Sequence, residues 1–193
     1  MFVANHGSVR RKHPEGKPTM GTGGGGQKTW SVSRQVRGSG KFVPPSITVH
    51  TLDAEGDTPP LRTIEGPNTQ LNWPTGIAFD PKRGELFVAN DAGDAVLVFS
   101  ATASGNVAPV RILKGSKTLI KNPTGITVDS QNDELWVSNY GNHTATAYKT
   151  TAAGDAPPVR VIRSGPLGQK ALMIGNPGAL AYDSKREQIL VPN

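Results

Sequence analysis

Residues 122–129, Asn122-Pro-Thr-Gly-Ile-Thr-Val-Asp129, recur with small changes as Trp73-Pro-Thr-Gly-Ile-Ala-Phe-Asp80 and Asn176-Pro-Gly-Ala-Leu-Ala-Tyr-Asp183. The prolines of the three copies are 49 and 54 residues apart. A second motif follows each copy, as Glu85-Leu-Phe-Val-Ala-Asn90, Glu134-Leu-Trp-Val-Ser-Asn139 and Gln188-Ile-Leu-Val-Pro-Asn193. A repeat of about 50 residues indicates an array in which each repeat is one supersecondary unit.

Each repeat contains four short runs rich in β-branched residues, separated by Gly, Asp, Asn and Pro. In the second repeat these runs are A (Gly76–Asp80), B (Glu85–Asn90), C (Ala95–Ser100) and D (Pro109–Lys114). Four strands of this length per repeat are typical of one blade of a β-propeller. A helical repeat would need apolar residues every three or four positions over ten or more residues, and no such stretch exists. The sequence therefore predicts an all-β fold.

The chain also begins with an incomplete copy of the repeat. Met1–Asn5 matches strand B, Ile47–His50 matches C and Leu61–Ile64 matches D. Residues 1–193 therefore follow the order BCD, ABCD, ABCD, AB, which is about three four-stranded blades. Because a propeller needs about four to eight blades to close, we interpret the sequence as part of a longer propeller. We expect its open strand edges to cause oligomerisation or aggregation.

Alternation along the strands predicts which residues form the core. We expect these core positions to include Ile77, Phe79, Phe87, Ile126, Val128, Trp136, Leu180 and Leu190.

Composition excludes several classes of protein. The chain has no cysteine, which rules out disulfides, thiolate zinc sites and cysteine nucleophiles. No apolar run approaches the roughly 18 residues of a membrane helix, so we expect no membrane span. The 23 glycines and 16 prolines fit a turn-rich β protein.

The net charge of +6 is concentrated in an insertion between strands B and C of the first repeat, at residues 8–42. This segment holds eight basic residues against Glu15 alone, so it carries +7 and the rest of the chain carries −1. It is also rich in glycine and lacks an apolar pattern, so we expect it to be flexible. The segment has two interpretations, a solvated loop or an arm that binds an anionic polymer. The basic residues of such an arm would be Arg10, Arg11, Lys12, Lys28, Arg34 and Arg37.

The insertion also contains a Gly-rich run, residues 21–26, that resembles nucleotide-binding loops. A phosphate loop needs Gly directly before its Lys, whereas Gln27 precedes Lys28. Both kinds of loop also need a preceding strand and a following helix, and neither is visible in the sequence. We therefore interpret the run as a linker and expect no cofactor.

The repeated motifs resemble those of NHL-type and YVTN-type propellers. The signature is Asn-Pro-Thr-Gly-Ile-x-x-Asp, then Glu-Leu-(Phe/Trp)-Val-(Ala/Ser)-Asn, then Gly-Asn-x-Ala-Pro-x-Arg-x-Ile, and it covers residues 1–7 and 43–193. The resemblance implies a full ring of six blades. It also favours a secreted or periplasmic location. It does not fix an activity, because related propellers are sensors, lyases, lactonases and binding scaffolds.

The resemblance further implies that the B–C turns and the D–A loops share the face where ligands bind. On this face we expect Asn5, His6, Trp73, Asn90, Asp91, Asp94, Asn139, Tyr140 and His143, together with Lys117, Lys121, Asn122, Asn142, Gln169 and Asn176 from the same turns and loops.

Two interpretations of these residues remain open. Asn5, Asn90, Asn139 and Asn193 end every strand B, as Asp80, Asp129 and Asp183 end every strand A, and such repeated residues are typical of turn closure. For the asparagines, the alternative is a ring of amides offered to a ligand. Residues that break the repeat are better functional candidates. His6 and His143 stand where the middle blade has Asp91 and Asp94, and imidazoles with carboxylates could bind a metal or transfer protons. No standard metal-binding spacing of histidines is present.

We therefore predict a non-catalytic binding or sensing scaffold that takes a protein, a glycan or a small molecule on this face. The first alternative is a metal-assisted lyase or lactonase using the same face, and the second is a nucleic-acid-binding propeller using the basic insertion.

Overall fold

The computed structural model describes residues 1–6, 11–12, 18–19, 44–163 and 177–192. All of its strand pairs are antiparallel, and its helical content in these residues is limited to three 3-10 turns of three residues each, Pro67–Thr69, Asp91–Gly93 and Ser116–Thr118. Among the described residues, no helix is long and apolar enough to cross a membrane. The predicted all-β propeller architecture is confirmed.

The strands form successive blades along the chain. Blade 1 has three strands, in the order β1 (Phe2–Asn5), β4 (Ser46–Val49), β5 (Arg62–Glu65). Blade 2 has four, namely β6 (Pro74–Asp80), β7 (Glu85–Asn90), β8 (Ala95–Ser100) and β9 (Arg111–Leu113). Blade 3 also has four, namely β10 (Pro123–Asp129), β11 (Glu134–Asn139), β12 (Thr144–Lys149) and β13 (Arg160–Ile162). Blade 4 has two, β14 (Ala181–Asp183) and β15 (Gln188–Leu190).

This strand order is the predicted one. The A strands of blades 2 and 3 begin two residues earlier than expected, at the prolines, because Pro74 and Pro123 already lie opposite Asn90 and Asn139 in the ladder. The short D strand of blade 2 pairs with strand C only over residues 111–113.

Between β1 and β4, the insertion contains a short pair of strands, β2 (Arg11–Lys12) and β3 (Pro18–Thr19). The predicted polymer-binding residues Arg10, Lys28, Arg34 and Arg37 lie outside the described residues. So do Gln169, Asn176 and Asn193 of the predicted face and turns. The polymer-binding interpretation of the insertion stays a prediction.

The core consists of layers between neighbouring blades, because alternate side chains of each strand point to opposite blades. Leu86 and Val88 of β7 pack with Ile47 and Ile64 of blade 1. Phe87 and its neighbour Ala89 pack instead with blade 3 residues, among them Leu135, Val137 and Tyr148. A third layer joins Trp136 to blade 4.

The core prediction holds for Phe87, Ile126 and Trp136, which are buried. Ile77, Val128 and Leu180 are half-buried and pack at the edges of these layers. The prediction was wrong for Phe79 and Leu190, whose exposed fractions are 45% and 52%. Phe79 faces blade 1, which has no strand A among the described residues, and its ring lies against that of Phe2 at a centroid distance of 5.8 Å. Leu190 lies on the outer strand of the two-stranded blade 4.

The turns after the A strands are built as the sequence predicts. The carboxylate of Asp80 accepts from the backbone N–H of Lys82 at 2.9 Å, and that of Asp129 accepts from Gln131 at 2.9 Å. Asp183 repeats the contact with Lys185 at 3.0 Å. These Asx-type turns fix the face opposite to the predicted ligand-binding face.

Candidate ligand-binding face

The B–C turns and the D–A loops lie together at one end of the blades, as the resemblance implied. We call this surface, formed by residues 5–6, 70–73, 90–94, 119–122 and 139–143, the loop face. Backbone hydrogen bonds join its parts, from Asp91 N to Trp73 O (3.1 Å) and from Tyr140 N to Asn122 O (3.1 Å). The other described candidates lie in these ranges, whereas Lys117 lies outside them, and ligand binding at this surface stays a prediction.

The repeated asparagines at the ends of the B strands hold this surface together. Asn90 is buried, and its side chain accepts from Asn72 N at 2.6 Å and donates to Gln70 O at 3.2 Å. Asn139 is also buried, and its amide donates to the hydroxyls of Thr144 (3.2 Å) and Thr146 (3.0 Å).

Asn139 also accepts from the Lys121 backbone N–H at 3.3 Å. In blade 1, the Asn5 amide donates to the hydroxyls of Ser46 and Thr48 at 3.2 and 3.3 Å. The side-chain amides of the three asparagines therefore form hydrogen bonds within the loops and strands.

Asp91 and Asp94 form a clamp between the B–C turn of blade 2 and the loop that enters blade 3. The carboxylate of Asp91 accepts from Asn122 Nδ2 at 2.8 Å. The carboxylate of Asp94 accepts from Asn122 N at 2.8 Å and from Lys121 Nζ at 2.7 Å. The hydrogen bond from Lys121 to Asp94, assisted by the opposite charge, raises the pKa of Lys121. Both carboxylates are therefore occupied by neighbouring groups of the protein.

An aromatic pair occupies the equivalent place between blades 1 and 2. His6 follows Asn5 as Asp91 follows Asn90, and Trp73 precedes Pro74 as Asn122 precedes Pro123. The rings of His6 and Trp73 are stacked, with centroids 5.7 Å apart and planes inclined by 21°. His6 is exposed and Trp73 is half-buried, so the pair reaches solvent.

The backbone at Trp73 is unusual for this residue type. Its φ is +59°, in the left-handed region, and Asn122 has the same kind of conformation with φ +44°. Asn adopts this region readily, whereas for most other side chains this conformation costs roughly 1–2 kcal/mol. Trp73 is therefore not the residue that the local backbone favours.

The remaining candidates lie apart from a common chemical centre. Tyr140 occupies the blade 3 position equivalent to His6 and Asp91, and 48% of it is exposed. His143 also has a left-handed backbone, with φ +55°. Within the described ranges, no three His, Asp or Glu side chains are grouped so that they could hold a metal ion.

The sequence of residues 39–171 matches the model of a family described as "Lactonase, 7-bladed beta-propeller". The match includes more than half of the chain. The chain belongs to this lactonase family. The expected β-propeller repeat is confirmed, and the family is described with seven blades, where the NHL and YVTN resemblance implied six.

Solved structures support the same fold for this lactonase-family chain. It is similar to the hydrazine synthase of Kuenenia stuttgartiensis, with a TM-score of 0.52 and 16% identity over 76% of this chain and 35% of that chain. It is also similar to a chain of a nidogen/laminin complex, with a TM-score of 0.51 and 18% identity over 76% of this chain and 48% of that chain. The protein thus spans between about a third and a half of these solved chains. No curated protein matches its sequence.

Sequence reasoning missed an ion pair that this lactonase-family repeat uses in each complete blade. Arg111 of strand D forms two hydrogen bonds to the Glu85 carboxylate of strand B, at 2.5 and 2.8 Å, and also donates to Thr150 O of the next blade at 3.0 Å. Arg160 donates through Nη2 to the Glu134 carboxylate and lies over the Trp136 ring. The identical separation of 26 residues in both pairs was the available signal. These pairs lie along the blades rather than on the loop face.

Proposed function

We propose that this chain is a non-catalytic binding scaffold whose loop face takes a saccharide-like ring ligand on the His6–Trp73 pair. The observation that carries the proposal is an exposed aromatic stack at a position where the backbone disfavours Trp. At the equivalent position between blades 2 and 3, the fold uses Asn and Asp, which satisfy the same backbone with hydrogen bonds. The aromatic pair is therefore not required for closing the junction.

The chemistry of the pair favours a ligand with an apolar face and a polar rim. A solvent-reaching indole offers a flat apolar surface with one N–H donor. Ligand sites commonly combine such aromatic surfaces with a few polar groups. A pyranose ring, or the cyclic ester of a sugar acid, presents axial C–H groups to such a surface and hydroxyls to the surrounding loops. The family description of the matching model agrees with a cyclic ester as one member of this ligand class.

Ligand-observed NMR with a panel of monosaccharides and a six-membered sugar lactone tests the proposal. We expect saturation transfer to the ring C–H protons of at least one member with the wild-type chain, and its loss with Trp73→Asn. Phe79→Ser is the matched control, because Phe79 is an exposed aromatic outside the loop face. Equal signals in wild-type and Trp73→Asn protein would contradict the proposal.

The second candidate function is hydrolysis of such a lactone, which the family match over residues 39–171 favours. Hydrolysis adds water to the acyl carbon and releases the ring oxygen as a hydroxyl, so it needs a group that takes a proton from water. His6 is an exposed imidazole on the loop face that could do this.

A pH-stat assay separates the two functions. The scaffold proposal predicts lactone opening at the spontaneous rate even when the lactone binds. An acceleration that is lost in His6→Ala would establish the hydrolase instead, while an acceleration retained in His6→Ala would point to another group.

A further inference from the structure

The loop face carries a second exposed apolar patch, apart from the His6–Trp73 pair. Tyr140 begins the B–C turn of blade 3, and 48% of it is exposed. Leu119 lies in the loop between β9 and β10 and is 40% exposed. The side-chain amide of Asn142, in the same turn as Tyr140, donates to Leu119 O at 2.8 Å. The patch therefore consists of two apolar residues on a turn and a loop that are bonded to each other.

The fold does not require an apolar side chain at either position. Where the loop before blade 3 has Leu119, the loop before blade 2 has Gln70, with the same left-handed backbone at φ +57° against +61°. In both loops, the residue that is buried in the core is the next one along the chain. Tyr140 stands where blade 2 has Asp91. One copy of the repeat thus has polar residues at the two positions that are apolar in the other copy.

Consecutive hydrogen bonds connect this patch to the aromatic pair. Asp91 N donates to Trp73 O at 3.1 Å, and Asn122 Nδ2 donates to the Asp91 carboxylate at 2.8 Å. Tyr140 N then donates to Asn122 O at 3.1 Å. We call these four residues, Trp73, Asp91, Asn122 and Tyr140, the loop track. An aromatic side chain therefore stands at each end of one hydrogen-bonded series.

The middle of the loop track is polar and reaches solvent. Asp94 lies beside it, because its carboxylate accepts from Asn122 N at 2.8 Å. Lys121 Nζ lies 2.7 Å from the same carboxylate, and 55% of the Lys121 side chain is exposed. An ammonium group has three N–H donors, so an exposed lysine with one carboxylate partner keeps donors for a ligand. The hydroxyls of a bound molecule can use these donors.

The loop track crosses the ends of the blades and not their sides. It runs over the junctions between blades 1, 2 and 3, whose sheets pack against one another in two core layers. Blades of a propeller are arranged side by side around a central channel. A further blade therefore packs against the side of a sheet and does not cover the loop track.

We propose that the loop track binds a chain of at least two saccharide units, with one ring on Trp73 and another on Tyr140. This inference rests on the proposed function, because it keeps the His6–Trp73 pair as the position of one ring. Aromatic surfaces at the two ends suit the apolar faces of sugar rings, and the polar middle suits their hydroxyls. Asp91 and Asn122 separate the aromatic ends, so we expect a single ring to contact only one of them.

Isothermal titration calorimetry with saccharides of increasing length tests the inference. The probes are glucose, N-acetylglucosamine and mannose, each as the monosaccharide and as its β-1,4-linked chains of two to six units. We expect the affinity of the wild-type chain for at least one series to rise by about fivefold or more from the monosaccharide to a longer chain, because a second ring gains an aromatic contact.

Variants at Tyr140 show whether this gain belongs to the loop track. Tyr140→Ser removes the second aromatic surface, and Tyr140→Phe is the matched control that keeps it. Tyr140→Ser should abolish the gain with chain length and leave the affinity for the monosaccharide unchanged, whereas Tyr140→Phe should retain the gain. Trp73→Asn should weaken binding of the monosaccharide and of the longer chains. Thermal unfolding of each variant checks that it is folded.

The outcomes distinguish this inference from the proposed function. If the monosaccharide binds at Trp73 and longer chains bind no more tightly, the inference is overturned and the proposed function stands. A gain with chain length that Tyr140→Ser retains would also overturn the inference, because the saccharide would then extend over other residues. Binding that depends on Tyr140 and not on Trp73 would contradict both, as would the absence of binding by every probe.

Discussion

The junction between blades 1 and 2 and the junction between blades 2 and 3 use the same backbone with different side chains. The second is closed by Asp91 and Asn122, whose side chains are 2.8 Å apart. The first has His6 and Trp73 at these two repeat positions, stacked at 5.7 Å. Because the polar pair satisfies the left-handed loop residue and the aromatic pair strains it, the fold alone explains the second junction and not the first. This contrast supports the proposal that a ligand binds at the first junction.

The two described tryptophans provide the largest expected difference. Trp136 is 4% exposed and packs between blades 3 and 4. Replacing it with Ala removes buried apolar volume and should lower the free energy of unfolding by about 3–5 kcal/mol. Denaturant unfolding measures this loss, and Trp73→Ala is the control, with an expected loss of less than half as much. A loss below about 1 kcal/mol for Trp136→Ala would contradict the burial of Trp136 between blades 3 and 4.

High pH should weaken the second junction specifically. Tyr148 is buried there, and its hydroxyl donates to Thr118 O at 2.5 Å, whereas the first junction has Phe99 at this position. Burial raises the pKa of Tyr148 to about 12 from an ordinary value near 10. The folded protein therefore keeps the neutral phenol longer than the unfolded chain does.

This stability is fully present below pH 10 and is lost as the pH rises towards 12. The loss should be about 2–3 kcal/mol. Unfolding curves recorded between pH 9 and pH 12 measure it, with Tyr148→Phe as the control that lacks this titration. If the free energy of unfolding depended on pH equally in both proteins, the loss could not be assigned to Tyr148.

Removing the polar clamp should cost less. Asp91→Ala leaves Asn122 Nδ2 without its acceptor and should destabilise the chain by about 0.5–1.5 kcal/mol in thermal or denaturant unfolding. His6→Ala changes the equivalent residue at the first junction, where the structure gives the imidazole no hydrogen bond to a described residue, and should leave stability unchanged. Equal losses from both substitutions would remove the distinction between the junctions.

The smallest effect is expected for Trp73→Asn, which installs the residue of the second junction in the first. Relief of the left-handed strain offsets the lost contact of the half-buried ring. The free energy of unfolding should therefore change by less than about 1 kcal/mol, as measured by denaturant unfolding. A larger destabilisation would mean that the Trp73 ring stabilises the fold by packing against the core.

The sequence was sufficient for features that depend on neighbours in the chain. The order of the strands follows from the repeated motifs. The Asx turns at Asp80 and Asp129 follow from short motifs as well, because the hydrogen bonds of these turns span only two or three residues. The burial of Phe79 was predicted wrongly because it depends on what the adjacent blade supplies, and alternation within one strand carries no such information.

The candidate site shows the same limit. The sequence predicted that Asp91, Asp94, His6 and Trp73 share one face. It did not predict that His6 stacks on Trp73, whereas the two aspartates bind Asn122 and Lys121. Their partners lie 27 to 67 residues away, and a single repeat does not reveal which turn of one blade contacts which loop of the next. Aligning the junctions rather than the blades would have shown His6 and Trp73 opposite Asp91 and Asn122.

The most direct test of a functional first junction is a saccharide-panel titration, by ligand-observed NMR, of the double variant His6→Asp/Trp73→Asn against the wild-type chain. This variant converts the first junction into a copy of the second. The account predicts that the ligand bound by the wild type no longer binds, while thermal unfolding stays cooperative at a similar temperature. Unchanged binding by a folded double variant would contradict it.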